Sequence, residues 1–150
     1  FKSSEMWSIK RPYLDKFIRF ALSTFEKVVV WSAGTYKYVH EVVKFIFRGT
    51  AGPDLIWCRD QCVKVDGIWT KPLQKLADHL ETDLAHLLII DDRSDVCEKN
   101  PSNAIIVEKF TPESSTDKSI NRDDTLKRLM EFFSQSEVLA TSDVRTLEVE

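Results

Sequence analysis

Residues 87 to 107 read LLIIDDRSDVCEKNPSNAIIV, and the break inside that stretch constrains the fold more than any other feature of the chain. A run of apolar residues stops at two adjacent carboxylates, Asp91 and Asp92. Such a run is the pattern of a strand buried on both faces, and in an open α/β sheet ligands sit just past the carboxyl ends of the strands. Two carboxylates at that place repel each other unless something positive lies between them. A hard divalent cation such as Mg²⁺ meets that need, because it takes oxygen ligands and leaves positions for a phosphate. The same residues also read as an acidic turn leading into a helix N-terminus, where negative charge is favoured.

A second apolar strand, in residues 27 to 34 (KVVVWSAG), ends in a hydroxyl and two small residues before a helix. Ser32 then stands at the strand tip, with the N–H groups of Ala33 and Gly34 facing outward. Small residues let a phosphate approach the backbone, and the following helix adds a favourable dipole. An ordinary strand-to-helix turn with a hydroxyl N-cap has the same look. A third element is GIWTKPL, residues 67 to 73. Pro72 suits the first turn of a helix, and Leu73, Leu76, Ala77 and Leu80 follow at helical spacing. Lys71 therefore sits at a helix mouth, where the dipole does not help a cation, so it is either solvated or held by anions.

Periodicity supplies the remaining organisation. Leu14, Phe17, Ile18, Ala21, Leu22 and Phe25 make an apolar stripe, predicting a helix over residues 12 to 25 with Pro12 at its first position. Val39, Val42, Val43, Ile46 and Phe47 predict a second helix ending near Gly49. Residues 55 to 57 and 61 to 65 read as short strands, and Asp66-Gly67 signals a turn that returns residues 68 to 70 antiparallel. Residues 104 to 107 read as a further parallel strand, and residues 111 to 121 as a polar loop. Asp123 and Asp124 suit the start of a last helix carrying Leu126, Leu129, Met130 and Phe133. Strand–helix alternation predicts a single α/β domain over residues 1 to 150, Rossmann-like, with a mostly parallel sheet flanked by helices and a small antiparallel insert.

Bulk properties narrow the function classes. A net charge of -3 argues against general nucleic-acid binding, which needs a basic surface. No apolar run approaches membrane-spanning length. Three cysteines, an odd number, fit a reducing compartment, so the expected location is intracellular, nuclear or cytoplasmic. Cys58 and Cys62 are spaced C-x-x-x-C and Cys97 is a third thiol, a loose basis for a zinc site without an identified fourth ligand.

In order and spacing these segments resemble the haloacid dehalogenase superfamily, in the branch of RNA polymerase II C-terminal-domain phosphatases. KRPYLDKFI at residues 10 to 18 resembles that family's RP helix, and VVVWSAGTYKYVHEVV its second motif, where a Ser or Thr binds phosphate. CRDQCVKVDGIWTKPL resembles the segment carrying a substrate-contacting Arg and the Lys of the third motif. IIDDRSDVCEKNPSNAIIV resembles the metal-binding fourth motif, and TSDVRTL a common ending. The resemblance implies a Mg²⁺-dependent phosphoserine/phosphothreonine protein phosphatase, acting on a phosphorylated protein or peptide through an aspartyl-phosphate. Ser32 with the Ala33 and Gly34 N–H groups would hold phosphate oxygens, and Lys71 would offset charge in the transition state. Asp92 would ligate the metal, with Asp91 behind it or as a second ligand. Arg59 would contact substrate, although a strand-edge cation reads the same, and Tyr38 would line a peptide groove or sit half-buried on its helix.

One departure stands out. The family's first motif, D-x-D-x-[TV], which carries the nucleophile and the general acid, has no match in residues 1 to 150. In the family it lies some tens of residues before the RP helix, and here only FKSSEMWSIKR precedes Pro12. The expectation is a chain lacking its natural N-terminal strand, and inactive alone. The alternative is a noncatalytic peptide-binding module on the same scaffold, of the kind found in a mitochondrial import receptor subunit that resembles these phosphatases. A small-molecule phosphatase is a third reading, but the insert is too short to enclose a substrate.

Overall fold

Helix α1 spans Leu14–Thr24, with Ile18 and Ala21 buried on its inner face. The structure, a computed structural model, describes residues 9–114 and 116–149. The helix starts with the apolar stripe at Leu14, two residues later than the placement of Pro12 at its first position predicts. Tyr13 takes a left-handed conformation, φ 69°, which a right-handed helix cannot pass through, so Pro12 lies in the preceding turn. The described chain divides into two compact units, Phe1–Asp60 with Phe110–Met130, and Gln61–Lys109 with Glu131–Glu150.

In the first unit, strand β1 (Val29–Trp31) pairs in parallel with β2 (Leu55–Trp57), joined through helix α2 (Tyr36–Ile46). Ile18, Val39, Val43, Phe47 and Cys58 form its buried core, so the stripes of α1 and α2 meet there as their spacing predicts. Each large apolar side chain so buried contributes about 1.5–3 kcal/mol. Trp31 and Trp57, at paired positions of β1 and β2, meet edge to face with ring centroids 4.7 Å apart. Arg11 ties the entry to α1 to the end of the 110–125 segment: its Nε donates to both carboxylate oxygens of Asp123, at 3.0 and 3.1 Å, and a terminal nitrogen donates to Thr125 Oγ1 at 2.9 Å. Asp123 also accepts the Thr125 N–H at the start of helix α4 (Thr125–Phe133). That helix is not the last: α5 (Ser136–Leu139) follows it.

In the second unit, β3 (Val63–Val65) and β4 (Ile68–Thr70) form the antiparallel hairpin. Asp66 and Gly67 turn it with φ 50° and 80°, the double left-handed pair that a two-residue hairpin requires. The strand predicted from residue 61 begins only at Val63, because Arg59–Gln61 winds into a 3-10 turn. Helix α3 (Leu73–His79) buries Leu73, Leu76 and Ala77, with Pro72 as its N-cap. Strand β5 (Ile89–Asp91) pairs in parallel with β6 (Ala104–Ile106). The ladder begins at Ile89, and just before it the buried Asn103 amide donates to Leu84 O at 2.6 Å and Leu87 O at 2.9 Å.

The fold is α/β, as the alternation predicts. The single sheet of the expectation is not what the ladders give: among the described residues the strands form three two-stranded sheets, two parallel and one antiparallel. No described strand pairs with the second edge of β1 or of β5. None of the described helices is long and apolar enough to cross a membrane.

Candidate functional site

In the first unit, Ser32 follows directly on β1 and its backbone N–H donates to Trp57 O at 3.0 Å, extending the parallel ladder by one bond. The chain then turns sharply. Gly34 N–H donates to Ser32 Oγ at 3.1 Å, so that amide is folded back onto the hydroxyl and does not point straight outward as the strand-tip reading expected. Gly34 is needed for space: a Cβ there would lie 2.9 Å from Tyr38 Cδ1 and 3.1 Å from Val39 Cγ2. Residues of β2's far end complete the turn. Arg59 N–H donates to Gly34 O at 2.9 Å, and Arg59 Nε–H donates to Ala33 O, also at 2.9 Å. Ser32, Ala33, Gly34, Tyr38 and Arg59 are thus brought together around one turn. Tyr38 is half exposed on the first turn of α2, and Tyr36 beside it stacks on His40 with centroids 3.8 Å apart.

In the second unit, Lys71 and Asp91 are brought together. Lys71 Nζ donates to Asp91 Oδ2 at 2.6 Å, and both side chains are about nine-tenths buried, with relative exposures of 10% and 9%. Asp91 is the last residue of β5, which therefore runs one residue past the apolar run, and its Oδ1 accepts the Arg93 N–H at 3.0 Å. Lys71 N–H donates to Val96 O at 2.8 Å, which fixes the lysine's backbone as well. Of the two readings left open for Lys71, an anion holds it. Asp92, the next residue, is exposed. Arg93 turns its guanidinium to Asp95, at 3.1 and 2.7 Å, and that hydrogen-bonded pairing holds the Asp95 carboxyl below its usual range. Cys97 lies within the field of the Lys71–Asp91 pair. Burial first, then the negative charge of Asp91, pushes its thiol up to about 11, so it stays protonated at neutral pH. All three cysteines are buried and none is in a disulfide.

Among the described residues no three of His, Cys, Asp and Glu group into a complete metal site. Asp92 is nevertheless chemically suited to Mg²⁺, which takes one or two carboxylates and completes its shell with water and phosphate oxygens. Asp91 is already committed on both oxygens, to Lys71 and to the Arg93 amide.

Sequence reasoning missed two of these features. The Arg59 bond to Ala33 joins residues 26 apart and carries no local signal. The close approach of Tyr38 to Gly34 could have been suspected from a glycine placed one residue before a helix N-cap.

The parallel strands of this α/β chain carry a Ser-Ala-Gly turn after β1 and, at the end of β5, the carboxylate of a buried Lys–Asp pair. Residues 2–145 match the model of the NLI interacting factor-like phosphatases, and the chain belongs to that family, in the CTD-phosphatase-like branch of the haloacid dehalogenase superfamily. It is 28% identical over 138 residues to the mitochondrial import inner membrane translocase subunit TIM50 of Kluyveromyces lactis, covering 92% of this chain and 26% of that protein. It is 30% identical over 119 residues to the uncharacterised protein 037R of Frog virus 3, covering 79% and 56%. It is 28% identical over 106 residues to a probable C-terminal domain small phosphatase of Dictyostelium discoideum, covering 71% and 33%. The chain therefore spans between about a quarter and just over half of these relatives. Among solved structures it resembles the fission yeast RNA polymerase II CTD phosphatase Fcp1 bound to beryllium fluoride, with TM-score 0.56 and 23% identity over 88% of this chain and 38% of that one. A second Fcp1 structure gives TM-score 0.54 and 25% identity over 88% of this chain and 36% of that one.

Proposed function

We propose that the protein is a Mg²⁺-dependent phosphoserine/phosphothreonine protein phosphatase of intracellular, nuclear or cytoplasmic location, acting on a phosphopeptide like the RNA polymerase II C-terminal domain. The observation that carries this reading is the buried Lys71–Asp91 pair directly preceding an exposed Asp92 at the end of a parallel strand. A buried lysine with a fixed counter-ion is preorganised positive charge, which stabilises a developing phosphoryl transition state without rearranging. Asp91 holds that lysine in place, and Asp92 would hold the metal. When bound, Mg²⁺ would neutralise charge on the phosphate oxygens. The turn at Ser32 would receive non-bridging phosphate oxygens through the Ser32 hydroxyl and the Ala33 and Gly34 amides, with Gly34 N–H exchanging its present bond to Ser32 Oγ for one to phosphate. Tyr38 flanks that turn and would contact the peptide. In this reading the nucleophile is a carboxylate supplied from outside residues 1 to 150, which hold no D-x-D-x-[TV].

The test is Mg²⁺-dependent release of phosphate from a phosphoserine peptide by the full-length protein. EDTA abolishes it, Asp92→Asn lowers it and added Mg²⁺ restores part of the loss, and Lys71→Ala lowers kcat by about 10²-fold or more. Residues 1 to 150 alone release none.

A second reading rests on the likeness to TIM50 over 92% of the chain: a noncatalytic peptide-binding module on the same scaffold. Full-length protein that binds peptide but turns over no phosphopeptide under any metal condition establishes that reading instead.

A further inference from the structure

We infer that Arg59 is a positioning residue that holds the Ser32–Ala33–Gly34 turn in shape. This inference rests on the reading that the turn receives phosphate.

Three observations carry it. Arg59 makes two bonds to the turn, one from its backbone to Gly34 O and one from its side-chain Nε to Ala33 O, each 2.9 Å. The two acceptors are consecutive carbonyls: Ala33 O lies in the peptide plane that carries the Gly34 N–H, and Gly34 O in the plane that carries the Thr35 N–H, so together they fix the orientation of those two planes. Within the turn, Gly34 N–H donates to Ser32 Oγ at 3.1 Å, a bond that an arriving phosphate would displace. Tyr38 and Val39 pack against the turn and leave no room for a Cβ at Gly34. When phosphate takes the Gly34 amide, the Arg59 bonds and the ladder bond from Ser32 N–H to Trp57 O keep the backbone from spreading.

The chemistry of the side chain separates this role from charge attraction. In arginine the Nε donor sits on Cδ. Glutamine places an N–H donor on the same carbon without positive charge. Lysine keeps the charge but has a methylene at that point. A positioning role needs the donor at that point, whereas direct attraction of a phosphate needs the charge.

The experiment compares full-length wild type with Arg59→Gln, Arg59→Lys and Arg59→Ala in two measurements. The first is amide hydrogen exchange at Gly34 and Arg59 without ligand, with the second unit's amides as the reference for intact folding. The second is inorganic phosphate affinity by NMR titration. The expected result is exchange about 2- to 10-fold faster in Arg59→Lys and Arg59→Ala, the effect of one net hydrogen bond, and close to wild type in Arg59→Gln. Phosphate affinity falls in the same order and by a similar factor. Wild-type exchange in all three variants overturns the inference, as does an Arg59→Lys that matches wild type while Arg59→Gln does not. If wild type takes up no phosphate but the exchange pattern holds, Arg59 still positions the turn and the phosphate reading is what fails.

Discussion

The turn at Ser32 and the pair at Lys71 are built on opposite principles. The turn is neutral and held by backbone geometry: a ladder bond, a hydroxyl that caps an amide, and two bonds from Arg59. The pair is held by charge in a buried setting, with 2.6 Å between Nζ and carboxylate. Polar groups exposed to water lose little when a partner is removed, because water replaces it. A buried charge left alone has no such substitute. The turn should therefore fail by degrees and the pair all at once. That suits their proposed tasks, since a turn that accepts phosphate has to exchange bonds and a charge that stabilises a transition state has to stay fixed.

The sharpest way to break this contrast is Lys71→Met. It leaves Asp91 buried without its cation, and a loss of about 3–5 kcal/mol in urea unfolding is expected. Lys71→Met combined with Asp91→Leu should recover most of that loss. A single variant as stable as wild type would mean the pair is not buried in solution.

Next is Gly34→Ala, expected to cost about 1–3 kcal/mol by overpacking against Tyr38 and the buried Val39. In a Tyr38→Ala background the cost should shrink, because the nearest clashing atom is gone. Equal costs in both backgrounds would place the strain elsewhere.

Ser32→Ala should cost only about 0.5–1.5 kcal/mol, the worth of one net hydrogen bond. Thermal unfolding measures it, and a loss as large as that of Lys71→Met would erase the distinction between the two regions.

The smallest effect comes from a control case, an ion pair in the second unit that is exposed. Asp143 is held to about 2, chiefly by the side-chain hydrogen bond from Arg145 and then by the Arg145 amide, against an ordinary 3.8. A depressed carboxyl pKa gives a contribution that is fully present above about 3.8 and is lost as pH falls through about 2. Carboxyl carbon NMR should show Asp143 titrating near the lower value, and Arg145→Ala should move it toward the upper one with little change in stability at neutral pH.

Much of the fold was legible because local rules fix it. The stripe from Leu14 to Leu22 placed α1, and only its first residues were misjudged, since nothing in the letters Pro-Tyr announces a left-handed Tyr13. Asp66-Gly67 placed the hairpin, because few residues tolerate that backbone. The run before Asp91 placed β5 but not its first residue, nor the two bonds by which Asn103, 16 and 19 residues on, holds the carbonyls of Leu87 and Leu84. At the candidate site, Ser32, Lys71, Asp91 and Asp92 were all named from the sequence, and family resemblance added roles that neighbouring residues alone do not carry.

By itself, then, the sequence determined the order of strands and helices, the hairpin turn, and the absence of D-x-D-x-[TV] from residues 1 to 150. Periodicity and turn chemistry act over a few residues, so they can be read from neighbours. Only the tertiary structure decided which charges meet. Lys71 finds Asp91 across 20 residues, Arg59 finds Ala33 across 26, and Arg11 finds Asp123 across 112. A lysine or arginine is written the same whether water or a carboxylate surrounds it, and the path of the folded chain decides which of the two it meets.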